Sequence, residues 1–83
     1  MNDETVAHEV RLLQEQIVAL GARGADGRYA VTFGALFDAT QDIFEALGGT
    51  LKAAKKRGVV DYKAPILLKG AHDKVEIVLL VEG

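Results

Sequence analysis

The chain has no cysteine, no serine and no tryptophan, and only one proline and two histidines among its 83 residues. Each shortage removes a class of function. Without cysteine there is no disulfide, no zinc–thiolate centre and no thiol chemistry. Without serine there is no serine nucleophile, and only Thr5, Thr32, Thr40 and Thr50 carry aliphatic hydroxyls. No apolar run approaches the ~18 residues of a membrane-crossing helix. No glycine precedes a lysine, so there is no phosphate-binding P-loop. Glu4, Glu9 and Glu15 do not fall into a metal-site pattern of the H-E-x-x-H kind. His8 and His72 are the only histidines. The pair His72-Asp73 has neither a nucleophile nor a second ligand beside it, so it reads as a turn and not as a catalytic dyad. An enzyme is not expected, nor is a cofactor or a metal.

With 49% hydrophobic and 27% charged residues, the composition is that of a folded globular domain and not of a disordered segment. The length suffices for one domain, covering residues 1–83, and not for two. The start, Met1-Asn2-Asp3-Glu4, is acidic and lacks the basic-then-apolar plan of a secretory signal, which predicts a cytoplasmic protein. The net charge of −2 conceals an asymmetry. Residues 1–45 sum to −5, whereas residues 46–83 sum to +3. A polyanion binder would be basic overall. A small chain with two oppositely charged ends suits a protein-binding module.

Val6, Val10, Leu13, Ile17 and Leu20 recur at intervals of four and three and predict a first helix, with Asp3 and Glu4 at its positive end and Gly21 as a left-handed stop. Gly21, Gly24 and Gly27 punctuate a loop whose spacing and context do not match a phosphate cradle, and Asp26-Gly27 signals a tight turn. Tyr29-Ala30-Val31 predicts a short strand. Thr32 caps a second helix that buries Phe33, Leu36 and Phe37. Asp42 and Glu45 outline a capping box for a third helix from about Ile43 to Arg57, burying Phe44, Leu47, Leu51 and Ala54. Gly48-Gly49 inside it predicts a kink, a restart capped at Thr50, or a close helix crossing. Gly58 ends that helix. Val59, Val60 and Tyr62 start an extended stretch that resumes at Ile66-Leu67-Leu68 after Pro65. A polar turn over residues 69–74 leads to a last strand over 75–81, and the final strands pair as a hairpin.

This order, helix-strand-helix-helix-strand-strand, is an α+β, winged-helix-like fold of three helices with a small three-stranded antiparallel sheet. Lys52, Lys55, Lys56 and Arg57 crowd the end of the third helix, where they complement the helix dipole and also form a candidate patch for an acidic partner, supported by Lys69 and Lys74. A winged helix that binds nucleic acid would use this helix and the wing. Against that stand the net acidity and the shortage of side chains that read base edges, so nucleic acid is the second choice of partner.

Two stretches carry a resemblance. Phe44-Glu45-Ala46-Leu47-Gly48-Gly49-Thr50-Leu51-Lys52-Ala53-Ala54-Lys55-Lys56 and Leu67-Leu68-Lys69-Gly70-Ala71-His72-Asp73-Lys74-Val75-Glu76-Ile77-Val78-Leu79-Leu80 resemble the costars family. His8-Glu9-Val10, Asp26-Gly27 and Phe33-Gly34-Ala35-Leu36-Phe37 fall in the expected order. The resemblance implies a small cytosolic protein with a winged-helix-like fold and a role in actin-cytoskeleton dynamics and cell motility. The partner would be actin or an actin-associated protein, bound by a monomer associated with the cytoskeleton. The same domain ends the larger actin-binding Rho-activating proteins. The chain departs from the family at Gly48, where a bulkier apolar residue is the pattern.

Overall fold

The computed structural model describes residues 3–44 and 46–81. Its first element, α1 (Asp3–Leu20), follows the spacing of its apolar residues. Val10, Leu13 and Ile17 are buried, and Val6 packs half-buried beside them. Burying side chains of this size stabilises by about 1.5–3 kcal/mol each. Leu20, expected on the same stripe, is exposed at the helix end. Gly21 N–H donates to Ile17 O at 2.8 Å and closes the helix. Gly21 is not left-handed, contrary to expectation. What it supplies is space, because a Cβ there would overlap the carbonyl oxygen of Ala30. The strand carrying Ala30 crosses the end of α1, and only glycine admits so close an approach.

The glycine-punctuated loop builds a hairpin. β1 (Ala22–Arg23) pairs antiparallel with β2 (Tyr29–Thr32), and Gly27, with φ +81°, makes the turn with its N–H on Gly24 O at 3.0 Å. β1 was not anticipated; two residues are too short to show a period-two pattern. β2 passes directly into α2 (Phe33–Ala39), and Thr32 Oγ1 accepts from Ala35 N–H at 3.3 Å as its N-cap. Phe33 and Leu36 enter the core, and Phe37 stands edge-on to Phe33 with centroids 5.8 Å apart. Buried Thr40 ends the helix by donating its hydroxyl to Leu36 O at 2.6 Å. Its own carbonyl then accepts from Ile43 and Phe44 N–H, turning Phe44 back into the core.

The third helix, α3, spans Leu47–Lys56 and not Ile43–Arg57. The residue before it, Ala46, provides no side-chain cap. Asp42 therefore does not cap the helix, and its expected capping-box partner Glu45 lies outside the described residues. The spacing misled because Phe44, in register with Leu47 and Leu51, is buried from the turn made at Thr40 and not from a helix. Gly48 and Gly49 sit in the first turn, and the helix runs on through them as one element with no restart at Thr50. A close crossing does not account for them either. A Cβ at Gly48 would meet nothing within 4 Å, and one at Gly49 only Ala46 Cβ at 3.9 Å. Thr50 is interior to the helix and buried; it donates to Glu9 Oε2 at 2.7 Å, tying α3 to α1. At the other end Gly58, φ +74°, sends its N–H to Lys55 O while Val59 N–H reaches Ala54 O. That pair of bonds is a Schellman stop, which a residue with a Cβ disfavours.

β3 (Val60–Asp61) and β4 (Glu76–Leu79) complete an antiparallel sheet of four strands, where three were expected, in the order β1-β2-β4-β3. Val31 lies opposite Ile77, and Val60 opposite Leu79. These four buried residues form the face that packs on the helices, with Thr32, Glu76 and Asp61 on the other. Burial alternates through Val60, Tyr62 and Ala64 with Asp61, Lys63 and Pro65 exposed, although the backbone bends at Lys63 and again at Pro65 and Ile66. The strand does not resume at Ile66-Leu67-Leu68. Pro65 has no N–H to give a ladder, and the backbone of Leu68 is taken by the following turn.

That turn is docked on α2. Phe33 N–H donates to Val75 O at 2.8 Å and Gly34 N–H to Asp73 O at 3.0 Å. With Ala35 on Thr32, three N–H groups that open the helix are satisfied. Gly34 is buried, and a Cβ there would lie 3.0 Å from Asp73 Cβ and 3.2 Å from Asp73 O. In chemical denaturation, Gly34→Ala is expected to lower stability by about 1–3 kcal/mol, because the docked backbone has no freedom to yield. Gly48→Ala should instead raise stability by about 0.5–1 kcal/mol, as an unobstructed helical site would.

Candidate interaction surface

Lys52, Lys55 and Lys56 belong to the C-terminal half of α3 and Arg57 is its C-cap, close to what the sequence predicts, but they do different work. Leu47, Thr50, Leu51 and Ala54 face inward. At 100° per residue, Lys52 and Lys56 then lie opposite, on the same outward side as Gly48 and Gly49. Both lysines are exposed, and neither has an ion-pair or hydrogen-bond partner among the described residues. Lys55 points to the flank. Its Nζ donates to Tyr62 O at 2.6 Å, lies 4.3 Å from the Tyr62 ring centroid and 3.9 Å from Asp61 Oδ1. It therefore straps α3 to the strand that follows. Tyr62 itself is buried, and desolvation holds its phenol above the usual pKa. Arg57 is the exposed C-cap residue.

Lys69 and Lys74 belong to a second constellation, the turn between Leu68 and Val75. Gly70 N–H donates to Asp73 Oδ1 at 2.7 Å, and Lys69 Nζ donates to Asp73 Oδ2 at 3.0 Å. Leu68 N–H donates to His72 Nδ1 at 3.0 Å, and Leu68 O accepts from Ala71 and His72 N–H. Lys69 reaches further, to Asp38 Oδ1 at 3.7 Å and to within 5.9 Å of the Phe37 ring centroid, joining the turn to α2. His72 and Asp73 are thus the two side chains that fold the turn. His72 accepts through Nδ1, which leaves the proton of its neutral ring on Nε2. Lys74 is exposed.

Reasoning from sequence missed two surface residues. Ile66 and Leu68, read there as strand, are 57% and 52% exposed, more than any other large apolar side chains of the described residues. Buried Tyr62 and Ala64 anchor the chain just before them, and the hydrogen-bonded turn fixes Leu68 from the other side. The signal was available in part: a proline heads the apolar triplet, and lysines lie on both sides of it. Among the described residues no group of three or more metal-ligating side chains converges, and no helix is long and apolar enough to cross a membrane.

The Asp73 carboxyl is held below the usual carboxylate pKa, first by the Gly70 N–H and then by Lys69, and the Lys69 ammonium is correspondingly raised, first by its bond to Asp73. A depressed carboxyl contributes stability that is fully present above its unfolded pKa of about 3.9 and is lost as pH falls through the folded value. The raised lysine contributes stability below its unfolded pKa of about 10.4 and loses it as pH rises through the folded value. Asp73→Asn is therefore expected to be less stable than the parent at neutral pH and to approach it as pH falls below about 4 in denaturation curves. A stability gap that does not narrow in acid would contradict the assignment of the Asp73 charge to this turn.

The same turn and α3 fall inside the region shared with known proteins. A family profile described as Costars matches residues 5–80. "Costars family protein ABRACL" of Xenopus tropicalis is 57% identical over 77 residues, covering 90% of this chain and 95% of that protein. "Protein costars" of Dictyostelium discoideum is 52% identical over 77 residues, covering 90% and 94%. The solution structure of the human HSPC280 protein shares the fold with a TM-score of 0.87 and 51% identity, across 99% of this chain and 95% of that one. Identity at this level, carried along nearly the whole length of chain and relative alike, establishes that the chain belongs to the Costars family.

Proposed function

We propose that this chain is a non-enzymatic regulator of actin-cytoskeleton dynamics and cell motility, acting in the cytoplasm by binding actin or an actin-associated protein. The observation that carries this reading is the Costars match over residues 5–80, since the family resemblance implies a cytoskeletal role. The element order with residues 62–75 in the place of a wing supports describing the domain as winged-helix-like.

The contact is assigned to the outward side of α3, with Lys52 and Lys56 as the charges that meet an acidic partner. Both are exposed, and no intramolecular acid competes for them among the described residues. Lys74 and exposed Arg57 add positive charge, whereas Lys55 and Lys69 act mainly by holding the neighbouring segments in place. Ile66 and Leu68 supply apolar anchors on a segment fixed before binding, which lowers the ordering cost of association. A partner footprint of about 800 Å² takes up roughly a seventh of the 5399 Å² surface, so one face suffices.

Co-sedimentation with actin filaments, alone and with actin-associated proteins, tests the reading. The parent chain should associate in a salt-sensitive manner, and Lys52→Glu/Lys56→Glu should weaken that association about tenfold, or ~1.4 kcal/mol. Association that the double variant leaves unchanged would refute the α3 assignment. No association under any of these conditions, together with a strong, steeply salt-dependent shift of random duplex DNA, would replace the cytoskeletal reading by nucleic-acid binding.

A further inference from the structure

A groove on another part of the molecule takes no part in the surface described above. It runs between the C-terminal end of α1, the β1–β2 hairpin and the end of β4, and encloses about 450 Å³. Val18 and Val81, each 39% exposed, supply apolar wall, and Leu79 lies buried between them and the core. Arg23 and Arg28 stand on the hairpin side. The Arg23 guanidinium lies 5.1 Å from the Tyr29 ring centroid, which sets its orientation. Both arginines are exposed, and neither guanidinium has a carboxylate partner among the described residues. The acid that shares the groove, Asp26, uses Oδ1 to accept the Arg28 backbone N–H at 3.0 Å. Among the described residues that line it, two cations stand against one anion, a positive spot within the acidic half of the chain.

The chemistry selects the ligand. A phosphate cradle needs several backbone N–H groups aimed outward, and here those of Gly24, Gly27 and Arg28 are consumed within the loop. Gly24 N–H is on Arg28 O at 2.8 Å, Gly27 N–H is on Gly24 O at 3.0 Å, and Arg28 N–H is on Asp26. The charged donors that the groove offers an anion are a pair of guanidinium forks, whose planar geometry matches carboxylates. The apolar wall beside them asks for an aliphatic side chain next to the acid, and the groove is partly open, as an extended chain requires.

We propose that this groove binds an acidic peptide segment, with Asp or Glu carboxylates on Arg23 and Arg28 and an intervening aliphatic side chain against Val18 and Val81. The chain then has two binding faces of different kinds: the lysine face of α3 for an acidic surface, and this groove for a linear acidic segment.

The test is an NMR titration of the full chain with the synthetic peptide acetyl-Glu-Leu-Glu-Leu-Glu-amide, following backbone amides and arginine Nε–H signals. Expected are saturable shifts at Arg23, Arg28, Tyr29 and Val81 that weaken with salt. Arg28→Gln and Arg23→Gln should each weaken binding at least about fivefold, while Lys52→Glu/Lys56→Glu leaves it within about twofold. Folding of each variant is checked in the same spectra, and the milder Arg28→Lys should retain part of the affinity if charge is what matters. The proposal is overturned if the peptide shifts α3 and leaves the groove untouched. It is equally overturned if the Gln-for-Glu peptide binds as well, if the arginine variants bind like the parent, or if no saturable shift occurs up to millimolar peptide.

Discussion

The opening N–H groups of α2 hold the architecture in place. A helix of seven residues is nearly all terminus, so most of its early donors must find partners outside it. Two of them, on Phe33 and Gly34, are met by carbonyls of Val75 and Asp73, residues some forty positions further along the chain. The contact sets where β4 begins. Thr32, immediately before α2, pairs with Glu76, immediately after Val75, so helix docking and strand register are one constraint. β4 then lies at the centre of the sheet, with β2 on one side and β3 on the other, and its Ile77 and Leu79 close the core beneath the helices.

The surface inherits its form from that arrangement. Because Asp73 is pinned by Gly34, the turn that it folds with Gly70, Lys69 and His72 has a fixed place on the molecule, and Ile66 and Leu68 stand out from its near side. The lysines divide in the same way. Lys55 and Lys69 have strong local partners and mainly stiffen the exterior. Lys52 and Lys56 are exposed and have none among the described residues. A cluster that looks uniform as a string of bases divides into engaged and unengaged side chains once each Nζ has been traced to its described neighbours.

Much of the helical layer was readable from local chemistry. The apolar spacing of Val10, Leu13 and Ile17, the cap at Thr32, the inward pair Phe33 and Leu36, and the stop at Gly58 depend on residues a few positions apart, and all are found. Features set by distant contacts were not readable. Gly21 looks like a helix stop until the carbonyl of Ala30 is seen beside it, and Gly34 looks unremarkable until Asp73 is. Ile66-Leu67-Leu68 has the composition of a strand, but Leu68 commits its backbone to a turn built four residues later. The candidate basic residues of α3 and of the turn after Leu68 were all named from the sequence, whereas Arg23 and Arg28 were not. Which of them are engaged within the protein depends on the strand after α3 and on α2, and no local pattern records that. Ile66 and Leu68 escaped for the opposite reason, since apolar residues are expected to be inside.

Native-state hydrogen exchange at Phe33 and Gly34 tests the central claim, that docking of the turn on α2 is part of the global fold and not an ornament on it. If the claim holds, these two amides exchange with the same opening free energy as Ile77 and Leu79 in the central strand, because none can open without the others. Exchange of Phe33 and Gly34 through a local opening much cheaper than that of the strand would contradict it.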